Sequence, residues 1–147
     1  MLDQISKAIV NILKANNLFA SVYDFEAADV DGDPVAALTP SLNENDYSTT
    51  TENERTYAFN LRLYKLRLTG EGNESNTEAA MRQLVDTVLD SLDRNHRLPA
   101  METKAGYTFI LLEAAPSQWG YAGKDNMYRV AEVNVRARFI VDVNIIT

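Results

Sequence analysis

Cysteine is absent from the chain, which removes disulfides, thiolate nucleophiles and sulfur-bound metals in one stroke. Histidine occurs once, as His96 in "DRNHRLP", where it reads as a surface or capping residue near a helix C-terminus. A catalytic histidine would need a Ser or Asp partner that the sequence does not point to. No apolar run approaches the roughly 20 residues that cross a bilayer, so no membrane association is expected. The start, "MLDQISKAIVNILKANN", carries Asp3 in place of a basic region and spaces its apolar residues, unlike a signal peptide, so folding in a cytoplasm is expected. Positive charge is also scarce: 14 Lys and Arg against 21 Asp and Glu leave a net charge of −7, which repels nucleic acid and argues against tight DNA binding.

What is present describes one ordinary domain. A chain of 147 residues can bury about two thirds of its unfolded surface around a single core. Leu2, Ile5, Ala8, Ile9, Ile12 and Leu13 recur at helical spacing, with a stop at Asn16 and Asn17. "FASVYDFEA" and "VAALTP" read as short strands joined by the acidic turn "DVDGDP". Residues 41–54, "SLNENDYSTTTENE", have almost nothing to bury and are expected to be a long loop, functional or disordered. A second helix follows, with Met81, Leu84, Val85, Val88, Leu89 and Leu92 on one stripe and Ser75 with Glu78 as a capping box. "YTFILLEAA" reads as a strand, "PSQWGYAGKDNM" as a turn region, and "YRVAEVNVRARFIVDV" as a long final strand with Glu132, Asn134, Arg136 and Arg138 on its polar side. The expected class is α+β, a single domain with a mainly antiparallel sheet, two helices packed on one face, and a long polar loop.

One strand poses a question. In "RTYAFNLRLYKLRL", Tyr57, Phe59, Leu61 and Leu63 occupy odd positions, whereas Tyr64, Leu66 and Leu68 occupy even ones. A bulge near Leu63 and Tyr64, re-aiming the second half, or departure from the sheet, would account for the change of phase.

Candidate chemistry fails on inspection. Asp29, Asp31 and Asp33 imitate half of a calcium loop, but Pro34 and Pro40 stand where glycine and glutamate are needed, so a hairpin turn is the better reading. "GEGNES" lacks the third glycine of a dinucleotide fingerprint and would repel a pyrophosphate with Glu71 and Glu74. Asp86, Asp90 and Asp93 line one edge of the second helix as a solvated face. Trp119, flanked by glycine, fits a core position or an interface anchor equally. Neither an enzyme nor a cofactor is expected.

The order of elements, with "SLNENDYSTTTENERTYAFNLRLY" and its R-x-Y-x-F-x-L-x-L-Y strand at residues 55–64, resembles the tail terminator proteins of long-tailed bacteriophages over nearly the whole chain. The resemblance implies a homo-oligomer, a hexameric ring, that caps the tail tube protein, stops its polymerisation and presents a surface to a head-tail connector or adaptor protein. It implies a place at the neck of the virion, reached from the host cytoplasm during assembly. DNA would pass through an acidic ring without tight binding. Contacts with the tube or a neighbouring subunit would fall on the loop, at Asn43, Glu44, Asn45, Asp46, Tyr47, Thr49 and Thr50, and on Arg55, Tyr64, Leu66, Trp119, Arg136 and Arg138, with Arg129 also placed at a subunit contact. The bend at Leu63 and Tyr64 would turn half the strand towards that contact. Rival readings are another neck component, a monomeric binding module with a pocket near Trp119, and an acidic mimic of DNA, which would need a denser carboxylate stripe than Asp86, Asp90 and Asp93 supply.

Overall fold

The computed structural model describes residues 1–26, 30–41, 44–47, 51–67, 73–95 and 105–145, with the backbone alone at 44–47 and 73. The leading apolar stripe forms helix α1, Leu2–Ala15, which buries Ile5, Ile9, Val10 and Leu13. It stops at Asn16, and Asn17 takes the left-handed conformation (φ 53°) that asparagine tolerates after a helix. Helix α2, Asn73–Arg94, buries Met81, Val85, Val88 and Leu92 and half-buries Leu84 and Leu89. The Asn16 amide donates to Ser91 Oγ at 2.6 Å, tying the two helices together. The expected capping box does not form, because α2 begins before Ser75 and Glu78 is claimed by Arg129 at 2.8 Å. A charge-assisted pair outcompetes a bond to a neutral backbone amide.

The helices cover one face of a six-stranded sheet ordered β1-β2-β4-β6-β5, with β3 added to β4. At its centre β4, Glu52–Leu66, pairs antiparallel with β6, Tyr128–Asp142, in one unbroken register from Glu52 opposite Asp142 to Leu66 opposite Tyr128. The strand therefore carries no bulge at Leu63 and Tyr64 and does not leave the sheet. Its phase changes because both faces become apolar there. Tyr57, Phe59, Leu61 and Leu63 pack with the helices in the main core, whereas Tyr64 joins Val35, Ala37, Tyr128 and Val130 in a second cluster on the opposite face. Tyr64 and Tyr128 meet edge to face at 6.1 Å.

That second cluster is covered by the acidic segment, which is not a hairpin turn. Strand β1, Ser21–Tyr23, pairs in parallel with β2, Val35–Pro40, so the intervening chain must cross back over the sheet. Val30 packs on the cluster, and the Tyr128 hydroxyl donates to the carbonyls of Val30 at 3.3 Å and Gly32 at 3.2 Å. Asp33 receives the Leu66 amide at 3.0 Å and pairs with Lys65 at 3.3 Å. Asp29 lies outside the described residues.

Two further elements differ from expectation. Within the polar stretch, β3, Glu44–Tyr47, pairs antiparallel with the start of β4, so the anticipated loop is partly a hairpin. Its poor strand propensity is overridden by the long partner strand already in place. Strand β5, Tyr107–Ala122, runs straight through the anticipated turn region, with irregularities between Phe109 and Leu111 and between Pro116 and Gln118. Pro116 is tolerated because β5 is an edge strand with one side unpaired. The turn itself is short: Gly123 at φ 82°, then a single 3-10 turn, Lys124–Asn126. The positive φ at Gly123 favours glycine, and a side chain there would also crowd Met127 Cγ, 2.9 Å away.

Candidate interaction surfaces

Beyond the second cluster, the face of the sheet turned away from the helices is lined by paired charges. Arg62 on β4 donates to Glu132 on β6 at 2.7 Å and lies 3.7 Å from Glu26. Arg138 on β6 reaches Glu54 at 2.7 Å and Glu113 on β5 at 3.6 Å. Arg136 stands opposite Glu113 in register. The hydrogen bond to Glu132 raises the Arg62 pKa above its ordinary value, fixing its charge. Each charge has a counter-charge nearby, so a protein partner can cover this face without stranding an ion.

The opposite face carries a different construction where β5 extends past the start of α2. Arg129 donates to both Glu78 carboxylate oxygens, at 2.8 and 3.2 Å, and to the Gly120 carbonyl at 2.9 Å. Its guanidinium also lies 4.8 Å from the Tyr121 ring and 5.4 Å from the Trp119 ring. Arg67 stacks on Tyr121 at 4.9 Å while donating to Glu74 and to the Asn126 carbonyl, each at 2.9 Å. Tyr121 is thus near two cations, yet it remains 55% exposed and Trp119 41% exposed. The Arg129 hydrogen bond holds the Glu78 carboxyl below the usual carboxylate range. Rigid aromatic side chains backed by arginine have the composition of interface centres.

A third group sits where β3 and β4 begin. Arg55 donates to the hydroxyls of Tyr57 at 3.1 Å and Tyr107 at 3.2 Å, with both rings about it at 6.0 and 5.8 Å. Burial pushes the Tyr57 hydroxyl pKa up, so it stays neutral beside the cation.

The residues singled out in the sequence are therefore dispersed. Glu44, Asn45, Asp46 and Tyr47 lie on β3, whereas Asn43, Thr49, Thr50 and His96 lie outside the described residues. Arg136 and Arg138 share the charged face. Tyr64 is only 6% exposed and belongs, with half-buried Leu66, to the chain's own second cluster. Trp119 sits on the other face, in register with Ala131 of the main core. Arg129 is largely buried against Glu78 within the chain. Sequence reasoning missed Tyr121, which shares Arg129 with Trp119, and Arg67, which stacks on Tyr121. The alternation of Trp119 and Tyr121 opposite Arg129 was the available signal, hidden because Pro116 and Gly120 read as a turn.

A cleft lined by Arg67, Glu74, Thr77, Glu78, Tyr121 and Arg129 holds about 50 Å³, and Trp119 does not line it. Among the described residues, no His, Cys, Asp or Glu cluster has metal-binding geometry, and no helix is long and apolar enough to cross a membrane.

No family model matches this sequence, and no curated protein matches it either. Among solved structures, the fold is similar to a chain from the virion of the native gene transfer agent (GTA) particle, with a TM-score of 0.55 and 16% identity over 92% of this chain and 93% of that one. At that identity the likeness is one of fold, and it extends over nearly all of both chains.

Proposed function

We propose that this chain is a structural protein of a phage-like particle and that it acts as a tail terminator, a ring, expected to be hexameric, that caps the tail tube, ends its growth and offers the joining surface to the head. The observation that carries the reading is the likeness over 92% of the chain to a component of a virion particle, reached independently of the sequence pattern that resembles tail terminators. The surface agrees with it. Charge-compensated pairs on the uncovered sheet face and the arginine-backed Trp119 and Tyr121 are features suited to protein contacts. On this reading Leu66, Trp119, Arg136, Arg138 and the β3 residues serve contacts with the tube or a neighbouring copy, while Tyr64 supports them from inside. The tube protein and a connector or adaptor protein are its partners, and its acidic surface lets DNA pass.

Electron microscopy of a lysate in which an early nonsense codon stops this gene tests the proposal. Tails of uncontrolled length are expected. Tails of normal length with unjoined or leaking heads would move the protein to the head side of the neck, as another completion or adaptor component.

A further inference from the structure

Where β5 runs past the irregularity between Pro116 and Gln118, its outer side is a free edge of the sheet: among the described residues no strand pairs with it. The pairing pattern shows which groups that edge offers. The Arg67 amide donates to the Met127 carbonyl, and the Asp142 amide to the Gly106 carbonyl, so odd-numbered residues along β6 bond towards β4 and even-numbered ones towards β5. Gln118, Gly120 and Ala122 stand opposite Glu132, Val130 and Tyr128 and take up those bonds. The amides and carbonyls of Trp119 and Tyr121 are therefore directed outwards.

This stretch lacks the usual defences of an edge. Charge, proline or a bulge normally blunts one, but the run Gln-Trp-Gly-Tyr-Ala beyond the irregularity has neither charge nor proline. Nothing in the described chain requires glycine at 120 either. Its φ is not in the left-handed region, and a side chain there would meet nothing within 4 Å. Glycine weakens a strand interior and marks places where another backbone comes close.

The surroundings define the occupant. Trp119 and Tyr121 lie on the helix-covered side and remain exposed, whereas Gly120 opens on the other side. Arg67 and Arg129 beside them are already held by Glu74 and Glu78, so the site is electrically compensated and favours a neutral occupant. The adjoining cleft of about 50 Å³ is far below the several hundred Å³ of a small-molecule site, which points to a segment of protein. An added antiparallel strand would form hydrogen-bonded pairs with Trp119 and Tyr121, and with Gly120 a non-hydrogen-bonded pair, where side chains come closest. Apolar residues fit beside the two rings, and an aromatic one fits over the bare glycine. Among the described strand edges of this chain, β1 is Ser-Val-Tyr followed by Asp24, and β2 with β3 carries Pro40, Glu44 and Asp46. Neither supplies that apolar-aromatic-apolar run.

We propose that residues 118–122 of β5 are a docking edge for an extended, neutral segment of another protein, which adds antiparallel to β5 with apolar residues beside Trp119 and Tyr121 and an aromatic residue over Gly120. Main-chain bonds hold the segment, and the two rings and the glycine select it. This rests on the reading above only in taking that protein to be another component of the particle; the edge itself requires neither a ring nor a tail.

A capped peptide, acetyl-Ser-Thr-Val-Phe-Val-Thr-Ser-amide, titrated to millimolar concentration into the isotopically labelled full chain tests this by nuclear magnetic resonance. Amide shifts should appear at residues 118–122 and not on β1. Replacing the peptide's Phe by Ala should weaken binding about tenfold, and Trp119→Ala in the protein about as much, the loss of one modest anchor each. In Gly120→Val, which has room to fold, the preference for Phe should vanish because the new side chain fills the opening. Shifts absent from 118–122, or equal on β1, overturn the proposal, as does a Phe preference unchanged in Gly120→Val. The same shifts on raising the protein concentration without peptide would make a second copy the occupant and overturn it too. Lysate microscopy tests the tail role separately: tails of normal length with the peptide bound at this edge would remove that role and leave the docking edge standing, and overlong tails with no peptide binding would do the reverse.

Discussion

Strand β4 presents two unlike faces to its surroundings. Its odd-numbered residues from Tyr57 to Leu63 meet two helices in one continuous apolar core, whereas its even-numbered residues pass from the Glu54 ion pair to Arg62 and then to buried Tyr64. The first face secures the fold. The second divides into a small cluster closed by the chain's own acidic segment and a charged region covered by none of the described elements. Burial alone would not separate these roles, since Leu63 and Tyr64 are adjacent and both buried. What separates them is the neighbour each side chain meets.

The comparison predicts a graded set of losses. Phe59→Ala, at the centre of the helix-covered core, should cost about 3–5 kcal/mol in urea unfolding, the usual range for a large aromatic removed from a packed interior. Tyr64→Ala should cost less, about 2–3 kcal/mol, because its cluster is smaller. A Tyr64→Ala protein of unchanged stability would show that the second cluster does not contribute to folding.

The sequence was most legible where the period was regular and the partner local. The stripes Ile5-Ile9-Leu13 and Met81-Val85-Val88-Leu92 and the alternation of β6 all read directly. It misled where a distant segment decided the outcome. The phase change at Leu63 and Tyr64 has the form of a bulge unless one knows that Val30 packs on the far side. The "DVDGDP" run has hairpin chemistry, and the parallel pairing of β1 with β2 leaves no local trace. Strand β3, made of Glu, Asn, Asp and Tyr, is held by the β4 ladder against its own propensity. The candidate surface was legible only in part: Trp119 stood out, but Arg67 and Tyr121 join it through long-range pairing.

Smaller effects sharpen the contrast between the faces. Arg129→Ala should cost about 1–3 kcal/mol, because it removes a largely buried ion pair with Glu78 and the backing of two aromatic rings. The folded pKa of Glu78 lies below its unfolded value, so its contribution is complete above the unfolded carboxylate range and is lost as pH falls through the folded value. Thermal unfolding across that acidic range should therefore show a shallower pH dependence in Glu78→Gln. Smallest of all, Arg62→Ala should change stability by less than about 1 kcal/mol, since this arginine is 44% exposed. A loss as large as that of Tyr64→Ala would mean that the charged face is part of the folding core.

Whether that face and the Trp119 edge serve particle assembly is decided by where the chain resides. Immunogold labelling of intact parent particles with an antibody to this protein addresses that directly. For a tail terminator, label is expected at a single site, where the tail meets the head; label spread along the tail or over the capsid would rule that role out.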